Sequence, residues 1–106
     1  MFYYRFNSYY SVLSMDIREL EGQKGILRLL IFLLENGETG YYSIIKESDI
    51  YDRVLRLSLE RLKGLELIET RVDNTSYPPR NMISLTDKGK KVAKHLKEIE
   101  EILEER

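Results

Sequence analysis

Between Ile50 and Thr86 the chain changes its hydrophobic period twice, and few folds accommodate that order. Leu55, Leu59 and Leu62 recur at i, i+4 and i+7, so they share one face of a 3.6-residue helix. The same spacing sets Arg53, Leu57 and Glu60 opposite that stripe, with Arg56 and Arg61 on its flanks. Leu67-Ile68 turns the pattern towards an extended strand. A polar loop follows from Asp73 to Pro79, and Met82-Ile83-Ser84-Leu85 returns as a second short strand. Thr86, a residue suited to capping a helix, then opens a third periodic stretch.

Helix, strand, exposed loop, strand, helix is the order of a winged helix-turn-helix. The expected fold is therefore α+β and mostly α, with a two- to three-stranded wing sheet. Residues 51–64 form the recognition helix and residues 71–82 the wing. The chain divides into an aromatic N-terminal arm (1–15), the winged helix-turn-helix domain (16–86) and a long C-terminal dimerisation helix (87–106). Leu59-x-x-Leu62 running into Leu67-Ile68-Glu69, then Arg80-Asn81-x-Ile83-Ser84-Leu85-Thr86-Asp87-Lys88-Gly89, resembles the small winged-helix transcriptional regulators of bacteria and archaea, PadR-like or MarR-like. The resemblance spans about residues 26–103; with the motif it points to a regulator that binds double-stranded DNA, and the surplus of apolar surface described below points to a homodimer.

Composition narrows the chemistry. With 106 residues there is room for one core, at a size where dimerisation adds useful burial. Cysteine is absent and His95 is the single histidine, so the chain has neither a disulfide nor the makings of a zinc site. No Gly-rich phosphate loop, HExxH or nucleophile elbow occurs. Catalytic residues, metals and cofactors are not expected, and nothing in the sequence designates a small-molecule effector. The apolar run Ile26 to Leu34 contains Arg28 and is far shorter than the roughly 20 residues that span a bilayer. The expectation is a cytoplasmic chain without a membrane partner. Abundant charge and a single glutamine match the bias of thermophiles.

The net charge of −1 is unlike that of a strong nucleic-acid binder. The local balance differs: from Asp52 to Lys63, Arg53, Arg56, Arg61 and Lys63 face only Asp52 and Glu60. The candidate DNA-binding residues are Arg53, Arg56, Leu57, Glu60 and Arg61 on the recognition helix. Ser43 and Lys46 precede it, and Arg71, Tyr77 and Arg80 belong to the wing. Each has a plainer role available: Arg56 and Glu60 can simply pair at i, i+4, and Leu57 can be one more exposed leucine. An alternative function is a winged-helix module for protein–protein interaction within a larger complex, without sequence-specific DNA binding.

Residues 16–36 carry the first helix of the motif, loosened at its start by Gly22 and Gly25 and stopped by Asn36-Gly37. From Ile26 to Leu34 every residue but Arg28 is apolar, so this helix needs burial on two sides. Leu27, Leu30 and Leu34 are assigned to the core. Ile26, Leu29 and Leu33 form a second stripe, to be covered by the C-terminal helix of this subunit or of another. Ser43 to Glu47 forms a short second helix, and Ser48-Asp49 provides the turn and cap before the third.

In the last helix Val92, Leu96, Ile99 and Leu103 are spaced 4, 3 and 4, the seam of a coiled coil. The expected dimer interface combines Ile26, Leu29 and Leu33 with Val92, Leu96, Ile99 and Leu103. Lysines occupy the first half of this helix and glutamates the second, which suits either local pairs or an antiparallel neighbour. Residues 1–14 hold alternating aromatics that suit an arm over a partner or over nucleic-acid bases, or a cover for the domain's own surface. Met15 as the natural start is a third reading.

Overall fold

The computed structural model describes residues 15–105; the proposed aromatic arm lies outside these, save Met15. Five helices and three strands follow in order: α1 (Met15–Glu21), α2 (Ile26–Asn36), β1 (Thr39–Gly40), α3 (Tyr41–Ser48), α4 (Asp52–Gly64), β2 (Ile68–Asp73), β3 (Arg80–Leu85) and α5 (Asp87–Leu103). The expected first helix is thus two helices. Gly25 adopts φ 89°, a left-handed conformation that a side chain disfavours, and the chain breaks there before α2 begins. At the other end of α2 the Gly37 N–H returns to the Leu33 carbonyl.

The sheet is antiparallel throughout, in the order β1-β3-β2. Thr39 pairs with Ile83, and β2 runs along β3 from Ile68↔Leu85 to Asp73↔Arg80. Only the base of this hairpin enters the core. Ile68, Ile83 and Leu85 are buried, whereas Glu69 to Val72 stand exposed, so the distal half projects as a wing.

One cluster holds the molecule together: Ile26, Leu29, Leu30 and Leu33 of α2, Ile44 of α3, Leu55, Leu59 and Leu62 of α4, the sheet residues, and Ala93 of α5. The leucine stripe of α4 points inward as its spacing predicts. On α2 the expected faces are corrected. Ile26, Leu29 and Leu33 are buried within the subunit, while Leu27 is 42% exposed and Leu34 half-buried. The reason is internal: α5 of the same chain packs along α2, with Val92 and Leu96 against the core. These α2 residues therefore offer no free surface to a second subunit. With nearly every position apolar, the α2 pattern contains no polar face to say which arc turns inward.

The cap before α4 also differs from expectation. Ser48 donates back to the Ile44 carbonyl of its own helix, and Asp49 makes the turn at φ 63°. Tyr51 is the N-cap of α4, without a side-chain cap bond. Thr86 does cap α5 as anticipated: its Oγ1 accepts from the Gly89 N–H at 2.9 Å.

Candidate nucleic-acid interface

The outer face of α4 and the wing strands form the two walls of an open groove of about 740 Å³. Because Leu55, Leu59 and Leu62 are drawn into the core, the helix must present Arg53, Arg56, Leu57 and Glu60 on the other side. All four line the groove, as do Lys63 and, from the wing, Arg71, Val72 and Asn81. Leu57 is 40% exposed there.

The cations of this region are held differently. Arg56 donates from Nε to Asp52 Oδ2 at 3.2 Å, one turn earlier on α4, rather than pairing with Glu60. The other carboxylate oxygen of Asp52 accepts from the Tyr41 hydroxyl at 2.6 Å. Partial burial, and then the hydrogen bond to Asp52, pushes the Tyr41 hydroxyl up to about 12, so it remains a donor at any ordinary pH. Arg71 donates from Nε and Nη2 to the two oxygens of Glu38, both at 2.8 Å. That bidentate pair holds the Glu38 carboxyl below its usual range and ties β2 to the segment before β1 through one edge of the Arg71 guanidinium. Among the described residues Arg53 and Arg80 make no ion pair and remain available to a ligand.

The other candidates lie around this groove rather than in it. Ser43 and Arg80 line a smaller cleft of about 130 Å³ between the start of α3 and the returning limb of the wing. Tyr77 is almost wholly exposed in the wing loop, and Lys46 is exposed on α3. At the base of the loop Asp73 accepts from the Thr75 backbone N–H at 2.9 Å and from its hydroxyl, which depresses the Asp73 carboxyl and fixes the turn. Arg61 is a correction: it turns away from the groove to Glu19 of α1, at 3.2 Å. Gly22 makes room for it, since a Cβ there would lie 2.8 Å from Arg61 Nη1.

Tyr41 and Asp52 were not singled out by sequence reasoning. They are 11 positions apart, and nothing in the pattern signals that the turn after α3 brings them together. Lys63 was visible only as part of a local charge excess. Among the described residues no group of three or more His, Cys, Asp or Glu side chains is placed to hold a metal ion. No described helix is long and apolar enough to cross a membrane.

A trihelical core that presents one cationic helix beside a projecting antiparallel hairpin defines a winged helix-turn-helix protein. The chain belongs to the HxlR-like helix-turn-helix family, whose model matches residues 20–106. No curated protein sequence matches it. Its fold is similar to that of a transcriptional regulator homologue from Pyrococcus horikoshii OT3, at TM-score 0.66 and 24% identity, over 90% of this chain and 99% of that one. A structure described as a MarR-family regulator from Porphyromonas gingivalis W83 gives 0.72 and 24%, over 96% and 98% of the two chains. Another from Enterococcus faecalis V583, also described as MarR-family, gives 0.69 and 20%, over 98% and 92%. These structural neighbours are described as transcriptional regulators.

Proposed function

We propose that this chain is a transcriptional regulator that binds duplex DNA as a homodimer, through α4 and the wing. The observation that carries the reading is the groove wall: Arg53 and Arg56 stand side by side on the outward face of a helix whose inward face is locked into the core. A helix so presented enters the major groove with its N-terminal residues towards the bases, while the wing follows the backbone. Arg80 and Lys46, exposed on either side, are suited to phosphate contact. The likeness to structures described as transcriptional regulators favours the same reading.

A dimer supplies two such helices to a two-fold site. Its interface is assigned to the outer end of α5, where Ile99, Ile102 and Leu103 are 51%, 61% and 79% exposed. Val92 and Leu96 serve mainly the subunit's own core.

The test is fluorescence anisotropy with random duplex DNA across a salt series. The expected result is binding that weakens steeply with salt and is largely lost in Arg53→Ala/Arg56→Ala, a pair whose exposed side chains leave the core untouched. Absence of salt-dependent binding by the wild-type protein at low ionic strength overturns the reading. The second reading, a protein-interaction module, rests on Leu57 and Val72, both exposed in the groove. It would then account for that surface.

A further inference from the structure

We propose that Tyr41 is a positioning residue for sequence reading: acting through Asp52, it holds Arg56 so that its two terminal nitrogens meet N7 and O6 of a guanine. The inference rests on α4 being the helix that enters the major groove.

The geometry is a three-member chain. The Tyr41 hydroxyl donates to Asp52 Oδ1 at 2.6 Å, and Arg56 Nε donates to Asp52 Oδ2 at 3.2 Å. An exposed carboxylate–arginine pair on one helix face is by itself a loose arrangement, because both side chains keep their rotamer freedom. Here the carboxylate is pinned from a different element. Tyr41 is the first residue of α3, packs against the core, and meets Tyr42 edge-to-face at 5.4 Å. Asp52 lies in the first turn of α4, the end of a helix at which acidic side chains are commonly placed. Both flanks of the carboxylate are therefore occupied, and the guanidinium that reaches it has one preferred orientation.

Which nitrogen is engaged decides what remains. A guanidinium carries five N–H donors, one on Nε and two on each terminal nitrogen. Arg56 spends only Nε on Asp52, so the far edge of its fork stays free. In the major groove guanine offers two acceptors, N7 and O6, which match that edge; adenine offers one acceptor and one donor. Arg71, by comparison, is committed through both Nε and Nη2 to Glu38, in a bidentate pair that ties it to the segment before β1. Arg53 has no side-chain partner among the described residues. Fixing one arginine before DNA arrives removes an ordering cost that a mobile arginine meets on binding.

The experiment begins by selecting duplexes from a randomised library with the full chain. The selected duplex is then titrated with each of its guanines replaced in turn by 7-deazaguanine or by adenine. At one guanine the wild-type protein is expected to discriminate by about 5- to 150-fold. Arg56→Ala should abolish that discrimination. Tyr41→Phe and Asp52→Asn should lower it by about twofold or more at the same position, measured against each variant's own affinity for random duplex. In the Arg56→Ala background, Tyr41→Phe should change nothing further. A merely structural tyrosine would instead weaken all duplexes alike, with the guanine preference intact. If Tyr41→Phe itself lowers the melting temperature, Asp52→Asn carries the test. The inference is overturned if the wild type discriminates but Arg56→Ala keeps the guanine preference, or if the two conservative variants both keep it in full. Failure of the wild type to bind any duplex overturns the reading of α4 itself, and this inference with it.

Discussion

Gly89, in the first turn of α5, lies so close to Leu67 that a Cβ at position 89 would stand 1.9 Å from the Leu67 carbonyl oxygen. That oxygen is also occupied by the Thr86 N–H at 3.0 Å, and the Thr86 hydroxyl donates to the Glu66 carbonyl at 2.7 Å. The exit from α4 and the entry to α5 are thus fastened together, with backbone on both sides of the contact. Gly89→Ala cannot be absorbed by a rotamer change. The expected loss is about 1–3 kcal/mol or more. In a domain of this size that lowers the thermal midpoint by ~4–8 °C per kcal/mol. A midpoint within a degree of wild type would show that the crossing relaxes freely.

The two faces of α2 can be told apart by truncation. Leu29→Ala removes a wholly buried side chain and should cost ~2–5 kcal/mol, as for a cavity that collapses only in part. Leu27→Ala, at a position 42% exposed, should cost less than about half as much. Chemical denaturation of both variants checks the order, and the reverse order would restore the opposite face to the core.

How far the fold was legible in the sequence depended on whether a polar face was present to contrast with the apolar one. On α4, leucines at 55, 59 and 62 alternate with arginines, and the inward face is plain. The same held for the wing strands, bounded by a polar loop, and for Thr86 as a cap. On α2 the contrast is missing, and the register followed from the packing of α5, a long-range fact. The groove was legible in its helix wall: Arg53, Arg56, Leu57 and Glu60 do line it together. What joins residues distant in sequence was not legible. Arg61 to Glu19, Arg71 to Glu38 and Tyr41 to Asp52 span 42, 33 and 11 positions. Each diverts or fixes a side chain that residue type alone leaves free.

The Glu38–Arg71 pair makes wing anchoring depend on pH. The Glu38 carboxyl titrates below its ordinary value of 4.5, because Arg71 hydrogen-bonds the ionised form. Its contribution is therefore fully present above about 4.5 and disappears as pH falls through the lower, folded-state value. Amide protection across β2 and β3, taken relative to the intrinsic exchange rate at each pH, should fall in that acid range. In Glu38→Gln the wing should exchange faster already at neutral pH, with a weaker acid dependence. Asp73 contributes a further acid-sensitive step through Thr75, which Asp73→Asn would isolate. Identical acid profiles for wild type and Glu38→Gln would mean the pair does not anchor the wing.

Tyr41 has a signature of its own. Spectrophotometric titration should reveal one phenol ionising near 12, later than the ordinary value of 10.0 for a free phenol. Tyr41→Phe should remove that late step. The sign follows from a raised value: the contribution is complete below about 10 and is lost as pH rises through about 12. Asp52→Asn should bring the step earlier, but because burial raises the value more than the Asp52 hydrogen bond does, part of the rise should survive. A late step unaffected by Tyr41→Phe would belong to another tyrosine.

The outer end of α5 carries the last prediction. Lys97 bonds Glu35 of α2 at 2.6 Å and Glu100 at 3.0 Å, which fastens α5 to its own subunit up to about that turn. Beyond it, Ile99, Ile102 and Leu103 lie on more exposed helix, with the expected seam continuing past the point where the subunit's core ends. Burying an isoleucine or leucine is worth about 1.5–3 kcal/mol, so a second copy laid along this segment gains from all three. Ile99→Glu/Leu103→Glu changes only side chains that the subunit's core does not use. It should yield a folded monomer with a melting profile close to that of an isolated subunit and much weaker binding to a two-fold DNA site. Val92→Glu/Leu96→Glu should instead damage folding, because those residues back onto α2. Sedimentation equilibrium with both variants separates the two roles. A wild-type chain that sediments as a monomer at tens of micromolar rejects the dimer, and an Ile99/Leu103 variant that unfolds assigns the outer seam to the subunit itself.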